Sequence, residues 1–232
     1  MNIMNIAMME EINDALDSFK EIHNLKTLVF DHVGKAFSAG VEISEHEAIT
    51  VRKMLSEFHD IFLRLMGFKS PTVACVRGAA LGGGSELALF CDFVLASDKA
   101  KFGQPEIKVG VFPPIATLLL PKMTTMKKAV ELLLLGETIS ADEAHKYGLI
   151  NAVIPSATFD QEFDKFLAKI SQLSATVLQH AKKVIKLGLG DDFIPKLKRI
   201  EEIYLNELMK TEDANEGIRA FMEKRSPVWR DG

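Results

Sequence analysis

The segment from Val73 to Asp92, VACVRGAALGGGSELALFCD, leaves the chain few ways to fold. A β-branched apolar run, Thr72 to Val76, enters a cluster of glycines, and an amphipathic segment follows at once. This order predicts a strand, a tight passage and a helix over Gly83 to about Phe90. Gly82, Gly83 and Gly84 carry no Cβ, so the backbone there can take unusual dihedrals and let a ligand approach closely. A helix that starts among them leaves its first N–H groups unpaired, with the positive end of its dipole outward. Such amides suit an oxyanion. Glu86 sits one turn in, close enough to act on whatever they hold. The pattern points to chemistry on a carbonyl.

The flanking sequence alternates strand and helix. Met8, Met9, Ile12, Ala15, Leu16, Phe19 and Ile22 recur at helical spacing. Thr27 to Phe30 reads as a buried strand, and His32 to Gly40 as a loop. Val51, Met54, Leu55, Phe58, Ile61, Phe62 and Leu65 keep a helical period that ends near Gly67. Phe93 to Ala96 is a third strand, and Lys101 to Pro114, with its glycine and prolines, reads as a loop. The alternation predicts parallel strands joined by helical crossovers. From Thr125 nearly everything is helical in pattern. Ser140 and Glu143 form a capping box, and Ile150 to Ile154 is one brief extended piece. Phe159 to Leu173, Ala175 to Leu187, Ile194 to Met209 and Glu212 to Lys224 read as the remaining helices. An α/β front half thus precedes a helical back half, with no tandem repeat and no low-complexity linker.

Composition narrows the function classes. A net charge of −4 gives no reason to expect nucleic acid or an anionic membrane as partner, so an anionic ligand must be met by a few local basic groups. The longest apolar run, Val109 to Pro121, holds three prolines and is too short to span a bilayer. The methionine-rich start lacks the pattern of a secretory signal, and a cytoplasmic location is expected. Cys75 and Cys91 lie inside apolar runs and are expected to be buried free thiols.

Several familiar motifs fail. The glycines lack the Lys-Ser/Thr ending of a phosphate loop and the spacing of a dinucleotide fingerprint. Ser85 has Leu87 where a nucleophile elbow needs glycine. No His-x-x-x-His or Cys-x-x-Cys pair exists, so no catalytic metal is expected. His23, His32, His46, His59, His145 and His180 are scattered, and surface positions are expected for them. Glu86 and Glu106 remain. Alone, each has a plain reading, as a carboxylate at a helix start and a solvated loop residue. Both flank regions able to bring backbone amides near a ligand, which favours paired acid/base work.

The segments KAFSAGVEI (Lys35 to Ile43), VACVRGAALGGGSELALFCDFVLAS, KFGQPEIKVG, LLLLGETISADEAHKYGLINAVIP and EGIRAFMEKRSPVW together resemble the crotonase, or enoyl-CoA hydratase/isomerase, superfamily, nearly end to end. The resemblance implies a β-β-α spiral core over residues 1–135 and a helical C-terminal trimerisation region over 136–232. It implies an acyl-CoA thioester as substrate, coenzyme A being part of that substrate and no separate cofactor needed. It implies a homotrimer, or a hexamer made from two. The backbone N–H groups of Val41 and Gly83 would form the oxyanion hole, and Glu86 and Glu106 would handle protons and water. Ala39, Gly40, Gly82 and Pro113 would line the substrate site, and Lys224 would reach coenzyme A on a neighbouring subunit.

Two carboxylates favour hydration or dehydration, since many isomerases of the family keep one. The alternatives are an isomerase or other enolate-forming enzyme, and a silent acyl-CoA-binding protein. Three departures matter. The start, MNIMNIAMMEEI, gives no sign of the family's first strands and CoA-contacting loop, which implies a shorter front end or a weaker acyl grip. Glu42 stands where the family has aspartate. PPIATLLLP (Pro113 to Pro121) replaces a glycine-rich segment, so Ile115, Leu118, Leu119 and Leu120 either fill the core or reshape the acyl pocket. On the second reading the pocket suits a cyclic acyl group, and the sequence is similar to cyclohexadiene-carbonyl-CoA hydratases.

Overall fold

One repeating β-β-α turn builds the core, and each turn feeds one strand to each of two sheets. The computed structural model describes residues 1–47, 49–188 and 192–229. Helix α1 (Ile6–Lys20) is capped by Asn5, whose side chain accepts from the Met8 amide. Strands β1 (Leu28–Phe30) and β2 (Ala36–Ser38) then lead to α2 (Val51–Gly67). Strands β3 (Thr72–Val76) and β4 (Ala79–Leu81) lead to α3 (Gly83–Phe90). Strands β5 (Phe93–Ser97) and β6 (Lys101–Gly103) lead to α4 (Pro114–Met123) and α5 (Met126–Leu135). After these come β7 (Thr138–Ser140), α6 (Ala141–Lys146), β8 (Ala152–Ile154), α7 (Phe159–Ser171), α8 (Ala175–Gly188), α9 (Phe193–Asn206) and α10 (Glu212–Met222).

The first sheet runs β1-β3-β5-β8 and is parallel throughout. The second runs β2-β4-β6-β7, parallel until β7 joins antiparallel. The expected parallel pairing is therefore present, wound as a spiral. Both sheets take their last strand from beyond residue 135, so they run across the expected boundary between front and back regions.

β3 is buried along its whole length because both faces are covered. Ala74 and Val76 join the main core, while Val73 and Cys75 pack with Leu95, Phe159 and Phe163 under α7. In the main core, edge-to-face rings run from Phe58 to Phe62 (4.9 Å), Phe90 (5.1 Å) and Phe193 (5.6 Å), tying α2, α3 and α9 together. Cys75 and Cys91 are buried free thiols, and burial pushes each up to about 12.

Several expectations need correction. The stretch His32 to Gly40 contains β2, and Lys101 to Pro114 contains β6 and a 3-10 helix, Pro105–Val109. A further strand, β7, lies in the stretch read as helical. Each of these strands is three residues long, too short to show a period of its own, and the neighbouring ladder holds it. His46 and His59 are buried rather than on the surface. The N-terminal residues are tied in: Met4 N–H donates to Gly40 O, and Glu42 N–H donates to Met4 O, both at 2.9 Å. Glu42 caps the 3-10 helix Ile43–His46 by accepting from the Ser44 amide, which gives its longer side chain a structural use.

Candidate active site

A cavity of about 420 Å³ opens where the start of α3 faces the loop after β2. Its floor is made by Gly82 and Gly83, and one wall by Ala39, Gly40 and Val41. The two segments pass close enough that a side chain has little or no room between them. A Cβ built on Gly40 would lie 3.8 Å from the Gly83 nitrogen, and one on Gly83 would meet Val41 Cγ2 at 2.7 Å. Gly40, at φ +107°, turns the chain so that Val41 follows along this wall. Among the described residues, neither the Val41 nor the Gly83 N–H has a hydrogen-bond acceptor. Gly83 is the first residue of α3, where helix geometry leaves the amide free.

Gly82 sits at φ +52° and ψ −131°, a conformation open to glycine alone, and its N–H donates to Gly103 O at 2.9 Å. This bond joins the start of α3 to the end of β6. Three residues past Gly103, the 3-10 helix Pro105–Val109 carries Glu106 back over the cavity. The Glu106 carboxyl comes down beside Gly82, with Oε1 2.6 Å from where a Cβ would stand. Glu86, one turn into α3, faces the same cavity and is 2% exposed.

The two carboxyls differ in their partners. Glu86 Oε1 accepts the Ala116 amide at 2.7 Å, from the start of α4. Burial drives its pKa from 4.5 to about 7, against the stabilising amides of Ala116 and Ile115. Glu106 as a residue is half-buried, yet its Oε2 is sealed from solvent with no donor. Burial and the neighbouring Glu86 raise it well above the usual carboxylate range. Two negative charges cannot share this site cheaply, so the first charge belongs on Glu86, where a donor waits.

The remaining lining is apolar and aromatic, with Phe58, Phe112, Pro113, Pro114, Tyr204 and Phe221 contributing. Exposed Lys108 and buried His46 add polar groups to the lining. Burial holds His46 below its ordinary value, and its Nδ1 lies 3.1 Å from the Glu42 carbonyl. Ile115, Leu118 and Leu120 are buried in the main core and do not line the cavity, which favours the core-filling reading of PPIATLLLP. Of the residues expected at the site, Ala39, Gly40, Val41, Gly82, Gly83, Glu86, Glu106 and Pro113 converge on this one cavity. Lys224 does not. It is exposed after α10, in a left-handed conformation at φ +55°.

Sequence reasoning missed Tyr204, Phe112, His46 and Lys108. Tyr204 falls on the buried stripe of α9 with Phe193, Leu197 and Ile200, where a lone hydroxyl among apolar side chains is the available signal. Among the described residues, no cluster of three His, Cys, Asp or Glu side chains could hold a metal ion, and no helix is long and apolar enough to cross a membrane.

The profile of the family described as enoyl-CoA hydratase/isomerase matches residues 1–232. A probable mitochondrial enoyl-CoA hydratase of Dictyostelium discoideum is 35% identical, with the match covering 100% of this chain and 84% of the relative. Cyclohexa-1,5-dienecarbonyl-CoA hydratase of Thauera aromatica is 35% identical over 99% of this chain and 89% of its own. The crystal structure of an enoyl-CoA hydratase from Mycobacterium avium subsp. paratuberculosis superposes with a TM-score of 0.89 at 29% identity, covering 99% of this chain and 90% of that one.

Proposed function

The chain belongs to the enoyl-CoA hydratase/isomerase family, and from that premise we propose that it adds water to a conjugated enoyl- or dienoyl-CoA thioester. The observation that carries this reading is the pair of carboxyls, buried Glu86 and half-buried Glu106, set in one cavity beside the unpaired Val41 and Gly83 amides. An enoyl thioester becomes electrophilic at its β-carbon when charge can collect on the carbonyl oxygen. The Val41 and Gly83 N–H groups hold that oxygen more tightly as an enolate than as a carbonyl, which lowers the barrier. A donor of this kind is worth about 3–4 kcal/mol in other enzymes.

In the proposed sequence the ionised Glu86 takes a proton from water as the oxygen bonds to the β-carbon. The π electrons move onto the thioester oxygen. Glu106, held protonated, gives its proton to the α-carbon, and the carbonyl re-forms. The division of roles follows the donors: Glu86 has the Ala116 amide to support its charge, and the sealed Oε2 of Glu106 has none.

Ala39, Gly40, Gly82 and Pro113 fit as the walls that hold the thioester and acyl group, the glycines by letting the ligand lie against backbone. Lys108 supplies a positive charge at the rim, where the phosphates of coenzyme A would pass. The lining of Phe58, Phe112 and Tyr204 with two prolines fits a flat unsaturated acyl group. The named relative from Thauera aromatica supports the cyclic dienoyl class. Assembly into a trimer or hexamer is part of the same proposal. It is supported by the row of exposed apolar residues Met126, Val130 and Leu134 along α5, which water disfavours. Lys224 would then act toward coenzyme A of a neighbouring copy.

The test is turnover of enoyl- and cyclic dienoyl-CoA thioesters in heavy-oxygen water. Hydration places the label on the product, whereas isomerisation leaves it in the solvent. Glu106→Gln is expected to cut hydration by roughly 10²–10⁴-fold while CoA-thioester binding persists. Wild-type turnover in that variant would refute the acid/base role.

A further inference from the structure

Tyr204 is 1% exposed, and its ring packs edge-on against Phe112 at 5.1 Å and 77°. Buried phenols ordinarily find a hydrogen-bond partner. This hydroxyl has none among the described residues, yet it is not one of the sealed polar atoms, and Tyr204 lines the cavity. Both glutamates act on it. After burial, Glu106 and then Glu86, once ionised, raise the phenol further. Packing alone does not call for this oxygen. The stripe of α9 that Tyr204 continues is otherwise Phe193, Leu197 and Ile200, all without a polar atom, and phenylalanine would make the same ring contact with Phe112.

An unpartnered O–H and two acids lining one ligand-sized cavity leave room for a third species between them. We propose that the Tyr204 hydroxyl is a third hydrogen-bonding group for the oxygen that is added to, or removed from, the β-carbon of the acyl-CoA. This rests on the hydratase reading above. Glu86 exchanges a proton with that oxygen and Glu106 with the α-carbon, while the phenol fixes the direction of the oxygen's lone pair. No bond to Tyr204 forms or breaks. It donates a hydrogen bond to the incoming water and to the hydroxyl of the product alike.

The inference is tested by pairing a 3-hydroxyacyl-CoA with the saturated acyl-CoA of equal length, 3-hydroxybutyryl-CoA and butyryl-CoA. Affinities are measured in the Glu106→Gln background, which keeps the hydroxy ligand unconverted, with and without Tyr204→Phe. Loss of the phenol is expected to weaken the hydroxy ligand roughly three- to tenfold and leave the saturated ligand unchanged. An undiminished preference for the hydroxy ligand overturns the inference, and so does an equal loss for both, which would assign Tyr204 to packing.

A second measurement leaves the fold untouched. The chain has only two tyrosines, so 3-fluorotyrosine labelling gives resonances for Tyr147 and Tyr204 alone. The Tyr204 resonance is expected to move with 3-hydroxybutyryl-CoA and not with butyryl-CoA, and identical responses overturn the assignment. If neither thioester binds the wild-type protein, the hydratase reading itself fails, a result distinct from the two above.

Discussion

Gly82 and Glu106 occupy space that only a glycine leaves open: a Cβ on Gly82 would stand 2.6 Å from Glu106 Oε1. Far apart in sequence, they are joined through β4 and β6, since the Gly82 amide donates to Gly103 O just before the turn that carries Glu106. Gly82→Ala must therefore move the carboxyl, and it must also strain a backbone at φ +52°, ψ −131°. The strain costs about 1–3 kcal/mol. Displacement of the acid by about an ångström costs on the order of 100-fold in kcat. Steady-state kinetics with thermal unfolding separates the two effects, and an alanine variant with wild-type kcat would remove Glu106 from the chemistry.

The pKa of Glu86 sets the acid limb of the rate profile. Burial raises it from 4.5 to about 7, and the working form is the carboxylate that accepts water's proton. The carboxylate is present above that value and protonated below it, so kcat is expected to fall as pH drops through about 7. An ordinary solvated carboxylate would keep full rate down to about pH 5. A profile flat between pH 5 and 8 would show that Glu86 does not titrate in the rate-determining step.

The same shift has a consequence for stability. A carboxyl whose folded pKa lies above its unfolded value holds its proton longer in the folded state. Its contribution is full below about 4.5 and is lost as pH rises through about 7. The rise corresponds to about 3 kcal/mol at most between the two limits. Glu86→Gln can keep the Ala116 bond through its amide oxygen while shedding the charge. It is expected to be more stable than wild type at pH 8, with the advantage gone near pH 4. Urea unfolding of both proteins across this range checks the sign, and a constant difference would contradict it.

These groups were unequally legible in the sequence. Glu86 announced itself because its helix starts in three glycines, and a helix start has a local signature that one segment can carry. Glu106 needed the resemblance, since PEIKV is too short to show a period, and its place over Gly82 is made by the β4–β6 ladder. The strands β2, β4, β6 and β7 share that fate, being three residues each and fixed by neighbours distant in sequence. Long helices are legible within about three residues, the largest miss being the end of α9, because burying one stripe repeats the same choice every turn. His59 was read as a surface residue, yet it is buried, and its Nδ1 lies 3.9 Å from Glu201 on α9. Nothing local to α2 reports where α9 will pack.

Gly217 offers a case where two rules disagree about sign. It lies inside α10, where helix propensity alone makes alanine better by about 1 kcal/mol. Its Cβ, however, would stand 2.4 Å from the Val109 carbonyl oxygen and 2.9 Å from the Gly110 nitrogen. Gly110 meets α10 just as closely from the other side, with its own Cβ position 2.9 Å from Asp213 O. These are backbone atoms, which cannot rotate away as a side chain tip can, so the clash wins. Overpacking of this kind costs about 1–3 kcal/mol. The Pro105–Val109 turn that must shift is the one that holds Glu106, so Gly217→Ala is expected to lower both the melting temperature and kcat, although residue 217 does not line the cavity. Thioester binding measured beside kcat locates the damage, because a displaced acid lowers turnover more than affinity. A variant that melts higher than wild type would mean that propensity governs here, and that α10 does not set the position of Glu106.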